Sequence, residues 1–143
     1  MSEITIFIKK SEVTKIFGHG EATFPEECCG VLIGTSNPTL RISDARKVRN
    51  TNSGTRNRRY NIDPQEYMSI EEGAEKKGLQ VLGIYHSHPN HPSRPSEFDL
   101  NHAFPNFSYM VLSVKDGKAE KLTSWRLDPT MNEFQEEKIE IIE

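Results

Sequence analysis

The stretch LQVLGIYHSHPNHPSRPSEFD, residues 79–99, passes from apolar to ionisable within a few positions. Leu79 to Tyr85 has the continuous apolar character of a buried strand, which delivers His86 to its C-terminal end. Four of the five histidines fall between His86 and His102, so metal binding is the first hypothesis for the cluster. Residues i and i+2 of a strand project to the same side, so His86 and His88 can reach one ion. Pro89 then stiffens the backbone and removes a competing donor. Ser96 is a good N-cap for a short helix from Glu97 to Ala103, and Asp99 in its first turn can return a carboxylate to the same point. Two histidines and one aspartate leave the fourth tetrahedral position of a zinc ion for water, whose pKa such an ion lowers to about 7. Each part alone has a plainer meaning: a surface histidine pair, a helix cap, a favourable charge at a helix start. The specificity lies in the whole pattern.

Near the N-terminus, Ile4, Ile6 and Ile8 alternate with Thr5, Phe7 and Lys9 and predict an opening strand. Ser11 is the expected cap of a helix carrying Val13, Ile16 and Phe17, weakening at Gly18 and Gly20 and ending before Pro25. Cys29 to Ile33 and Leu40 to Val48 predict two further strands. Arg49 to Asn61 is polar and irregular and predicts an exposed, mobile loop. Asp63-Pro64 opens a helix with Tyr67, Ile70 and Ala74 on one face, stopped by Gly78. Tyr109–Val114 and Lys118–Arg126 flank Asp116-Gly117, a strong hairpin signal. Met131 to Glu143 alternates acidic and apolar residues and predicts an edge strand or a terminal helix.

The 143 residues, 34% hydrophobic and 27% charged, suit one domain over residues 1–143 with one core. A net charge of -3 gives no support to nucleic-acid binding. The start MSEITIFIKK lacks the features of a signal peptide, and no window is apolar enough to span a membrane. The only cysteines, Cys28 and Cys29, are neighbours and unsuited to a disulfide framework, which fits a reducing cytoplasm.

HSHP, six residues, then Ser-x-x-Asp resembles the signature of the JAMM (MPN-plus) zinc metalloproteases. The segment Pro25-Glu26-Glu27-Cys28-Cys29-Gly30, running on through Val31 to Gly34, resembles the upstream Pro-x-Glu-x-Cys-Gly motif of that family. The resemblance spans roughly Ile4 to Arg126. It implies an α/β fold: a curved mixed β-sheet flanked by helices, in a three-layer α-β-α arrangement of the JAMM/MPN, cytidine-deaminase-like type. It also implies that His86, His88 and Asp99 hold one zinc ion per chain, that Ser96 hydrogen-bonds the zinc water or the oxyanion, and that Glu27 shuttles the proton. Without the resemblance Glu27 reads as an exposed loop acid, the role left to Glu26. Chemically, a carboxylate beside the metal can accept the proton of the water and return it to the leaving nitrogen.

Cys28 and Cys29 suit packing at the start of a buried strand better than nucleophilic catalysis. The Pro-Cys-x-x-Cys element of zinc deaminases is missing. His91 can rim the site but reads as a solvated loop residue, and His19 as a surface residue.

The resemblance further implies a peptide or isopeptide substrate following the C-terminal Gly-Gly of a ubiquitin-like protein. The size of the chain looks most like the prokaryotic branch, linked to small sulfur-carrier proteins. An extended Gly-Gly tail could add as a strand to an edge supplied by the Arg49–Tyr60 loop, whose arginines would attract an acidic carrier; a solvated loop is the equal alternative. Two other readings stand beside the peptidase: a catalytically silent MPN-type scaffold and a non-proteolytic zinc amidohydrolase. The presence of His86, His88, Asp99 and Glu27 argues against the scaffold.

Overall fold

The computed structural model describes residues 4–128 and 130–143; the head of the N-terminal stretch, residues 1–3, lies outside them. Among the described residues, seven strands and three helices follow in the order β1 (Thr5–Lys9), α1 (Lys10–Thr23), β2 (Cys29–Thr35), β3 (Leu40–Val48), α2 (Pro64–Lys76), β4 (Gln80–Pro89), α3 (Glu97–Asn101), β5 (Ser108–Lys115), β6 (Lys118–Asp128) and β7 (Glu133–Ile142). The sheet order is β1-β3-β2-β4-β5-β6-β7. Parallel pairs at β1/β3, β4/β5 and β1/β7 and antiparallel pairs elsewhere make it mixed.

The α/β class and the mixed sheet agree with the expectation. The curvature goes further than expected: β7 pairs in parallel with β1, and the sheet closes into a barrel. The tail is therefore neither an edge strand nor a helix. It lies between β6 and β1, with Ile139 of its alternating residues packed toward the core.

The two faces of β2 explain its unbroken apolar run. Cys28 and Leu32 join Ile6, Ile8, Ile16, Ile42, Tyr85 and Met110 in the core beneath α1. Cys29, Val31 and Ile33 face the opposite way, against Ile70 and Ala74 of α2. A strand covered on both faces has no reason to alternate. Gly30 sits opposite Tyr85, and the space a Cβ would take there is filled by the Tyr85 ring. That lets the buried Tyr85 hydroxyl meet His19 Nδ1 at 2.7 Å, so His19 is half-buried and engaged rather than a plain surface residue.

Helix α1 starts two residues earlier than a Ser11 cap would allow. Lys9 is its N-cap, without a side-chain bond, and Ser11 instead donates to Glu12. The helix continues through both glycines because Gly20 is buried, where a Cβ would crowd Leu112 and Val114 of β5. Tertiary packing overrides the local propensity. Asp63 caps α2 with Pro64 at its start. Asp116 and Gly117 both take positive φ, the turn pattern their dipeptide favours.

Candidate metal centre and catalytic cleft

Strand β4 does not stop at Tyr85 but runs through the histidines to Pro89. Its register against β2 skips Leu82, since Leu32 faces Gly83 and Ile33 faces Val81. This bulge changes which face later residues meet. Tyr85 joins the core under α1, while His86 and His88 project to the other side, beside α3 and residue 60. Ser87 between them is fully buried, and its Oγ accepts the Cys28 N–H at 2.8 Å. The Ser87 N–H donates in turn to the Cys28 carbonyl at 3.2 Å. The strand carrying the histidines is thus tied to the residue that follows Glu27.

Helix α3 is held by a full capping box. Ser96 Oγ accepts the Asp99 N–H at 3.1 Å, and Asp99 Oδ2 accepts the Ser96 N–H at 2.7 Å. It ends at Asn101 rather than Ala103. The box turns the Asp99 carboxylate back toward β4. His86 Nε2 and His88 Nε2 lie 3.2 Å apart, and each is 3.3 Å from Asp99 Oδ2. The three atoms converge on one point, and the triad can hold a metal ion. Burial would raise the Asp99 carboxyl, but hydrogen bonds with His86 and His88 and the Ser96 N–H together hold it well below the usual carboxylate range. Asp99 is therefore an anion at neutral pH.

Each histidine is oriented differently. His88 Nδ1 lies 3.0 Å from the Pro92 carbonyl. A carbonyl only accepts, so Nδ1 carries the proton and Nε2 offers its lone pair inward. His86 Nδ1 is buried without a hydrogen-bond partner among the described residues. The Tyr60 ring stacks on His86 instead, with centroids 4.7 Å apart and planes 22° from parallel.

Tyr60 corrects the picture of the Arg49–Asn61 segment. It is irregular and largely exposed, but it is pinned. The Glu27 N–H donates to the Arg56 carbonyl, Thr51 N–H to Asn61, and the Asn50 side-chain amide to both Glu27 and Arg59 carbonyls. Arg59 lies 4.2 Å above the Phe98 ring of α3. No periodicity marks these contacts, so nothing local in the sequence points to Tyr60 stacking on His86 or to Arg59 lying over Phe98.

Glu27 is buried, not an exposed loop acid, while Glu26 is exposed and pairs with Arg56 at 3.2 Å. Glu27 shares a cleft of about 280 Å³ with His88 and Ser96. Burial pushes its carboxyl pKa up; His86 and His88 oppose that, Asp99 adds to it, and Arg59 opposes it. A buried carboxyl beside the three converging donor atoms is chemically able to accept a proton and return it. Ser96 is exposed at the rim; its oxygen serves the cap, and its hydroxyl proton remains free to donate. His91 lines the same cleft and is exposed, as expected. His102 is the C-cap residue of α3, with Nδ1 against the Phe98 carbonyl.

A protein-family model described as prokaryotic homologs of the JAB domain matches residues 9–128. The chain belongs to this prokaryotic JAB family. Among its relatives, the JAB-family chain is 38% identical over 95 residues to a desampylase of Haloferax volcanii, covering 66% of each protein. It is 28% identical over 123 residues to the CysO-cysteine peptidase of Mycobacterium tuberculosis, covering 85% of this chain and 82% of that one. The solution structure of a protein from Desulfitobacterium hafniense superposes with a TM-score of 0.84 at 28% identity, covering 96% of this chain and 93% of the other. The JAB-family match takes in Glu27, Ser96 and the whole triad.

Proposed function

We propose that this chain is a zinc-dependent peptidase or isopeptidase that cleaves after the C-terminal Gly-Gly of a ubiquitin-like sulfur-carrier protein. The reading takes residues 1–143 as one catalytic domain acting in the cytoplasm. The observation that carries it is the convergence of His86, His88 and Asp99 beside a buried Glu27. Relatives named for desampylation and for CysO-cysteine hydrolysis support the reaction class.

The donor set supports zinc. A tetrahedron with bonds of about 2.0–2.1 Å has edges of about 3.3 Å, the spacing of the three donor atoms. Bound there, zinc would supply Lewis acidity and a water acidic enough to attack near neutral pH. Glu27 accepts the proton of the attacking water and passes it to the leaving nitrogen. The free Ser96 hydroxyl proton donates to the oxyanion of the tetrahedral intermediate. Asp99 stays anionic and fixes the start of α3 through its capping box, which keeps Ser96 in place.

The complete set of ligands and the buried Glu27 disfavour a silent scaffold. The test is elemental analysis followed by cleavage of a carrier extended beyond Gly-Gly. The reading expects zinc and release of the extension, abolished by chelation. Zinc without cleavage of any carrier fusion would favour a small-molecule amidohydrolase; no bound metal would favour the scaffold.

A further inference from the structure

Three guanidinium groups, Arg58, Arg59 and Arg94, line the cleft around the single carboxyl of Glu27. Arg59 is occupied: it lies over Phe98 and donates to the Arg58 carbonyl at 3.0 Å. Arg56 nearby turns away to Glu26. Arg58 and Arg94 are exposed, and among the described residues neither side chain forms an ion pair or a hydrogen bond. Two cations thus line the cleft without a paired carboxylate among the described residues.

The chemistry says what reaches them. The leaving nitrogen must come within hydrogen-bond reach of Glu27 to be protonated, so its substituents occupy this cleft. When the scissile bond joins Gly-Gly to one terminal amino acid, that residue's α-carboxylate lies a single carbon beyond the nitrogen. When the bond is to a lysine side chain, only methylenes follow the nitrogen. Guanidinium pairs with carboxylates through forked, charge-assisted hydrogen bonds.

Resting on the peptidase reading above, we propose that Arg58 and Arg94 bind the α-carboxylate of a single amino acid following Gly-Gly. The preferred reaction is then release of one free amino acid from the carrier's C-terminus rather than separation of a lysine conjugate. The C–N bond breaks, the water oxygen joins the glycine acyl carbon, and the water's protons end on the glycine carboxyl side and, through Glu27, on the amino acid nitrogen.

The test uses a ubiquitin-like sulfur carrier ending in Gly-Gly-Ala, made as the free acid and as the C-terminal amide. Wild-type protein should cleave the acid with kcat/KM about tenfold or more above the amide, the scale of a charge-assisted hydrogen bond to an exposed arginine. In the Arg58→Gln/Arg94→Gln double variant that ratio should fall to about one. Calorimetry in the Glu27→Gln background should show the acid binding more tightly than the amide, with the difference lost when both arginines are changed. Equal cleavage of acid and amide by wild type, or a ratio surviving the double substitution, overturns the proposal. So does equal loss on both substrates, which would assign the arginines to the carrier body. Cleavage of a lysine isopeptide of the same carrier without acid-over-amide preference removes only this inference. No cleavage of any of the three removes the peptidase reading with it.

Discussion

Tyr60 lies flat on His86, whose buried Nδ1 makes no hydrogen bond among the described residues. The ring limits His86 rotation together with the Nε2 contacts to His88 and Asp99. Tyr60→Ala is expected to weaken metal affinity by about tenfold, as loss of a ligand-orienting neighbour does, whereas Tyr60→Phe keeps the ring and the affinity. Competition with a chelator measures both. Ser87 acts on the other wall of the site. Ser87→Ala leaves the Cys28 N–H without its acceptor, a cost of about 1–3 kcal/mol in urea unfolding, and lowers turnover by loosening the residue next to Glu27. An unchanged midpoint and rate would contradict this. The triad was legible in sequence because its logic is local: i and i+2 on a strand, then a Ser-x-x-Asp cap. Glu27 was legible only through a motif resemblance, since nothing about a lone loop acid marks it as buried. Tyr60 was not legible, because it sits in a segment without period.

At the scale of elements, the start of β2 is sealed. Burial pushes the Cys28 thiol up to about 11, and burial raises Cys29 as well. A thiol reagent at pH 8 should therefore find no reactive cysteine in the native protein and two after unfolding in guanidinium; rapid native labelling would contradict the packing. β7 is joined to β6 by an ion pair of the buried Glu137 with the half-buried Arg126 at 2.8 Å, and Ser124 also donates to Glu137 at 2.7 Å. The apolar runs of β2 and β4 and the Asp-Gly hairpin were plain in the sequence. The α1 start and the fate of its glycines were not. Ser11 bonds to its neighbour Glu12, and Gly20 is decided by how closely β5 approaches.

For the whole molecule, closure joins the first and last strands, a pairing between opposite ends of the chain that no local pattern announces. Helix α1 is fastened to this barrel by Glu12, which accepts the Ala45 N–H of β3 at 2.9 Å. Burial would raise the Glu12 carboxyl, but bonds from Lys15, Ala45 and Ser11 outweigh it and lower the pKa below its ordinary 4.5. A lowered folded pKa stabilises above the unfolded value and is lost as pH falls through the folded one. Glu12→Gln should thus be less stable than wild type at pH 7, with the gap closing below about pH 4 in urea unfolding; a constant gap would refute the linkage. In the proposed reading, one face of this barrel pairs the His86, His88 and Asp99 triad with Glu27 as a separate proton shuttle. This pairing is tested most directly by measuring zinc content and carrier cleavage on the same Glu27→Gln sample. One zinc per chain is expected, with cleavage reduced by about 10³-fold or more, the scale of general acid–base catalysis. Loss of the metal, or turnover near the wild-type rate, would contradict it.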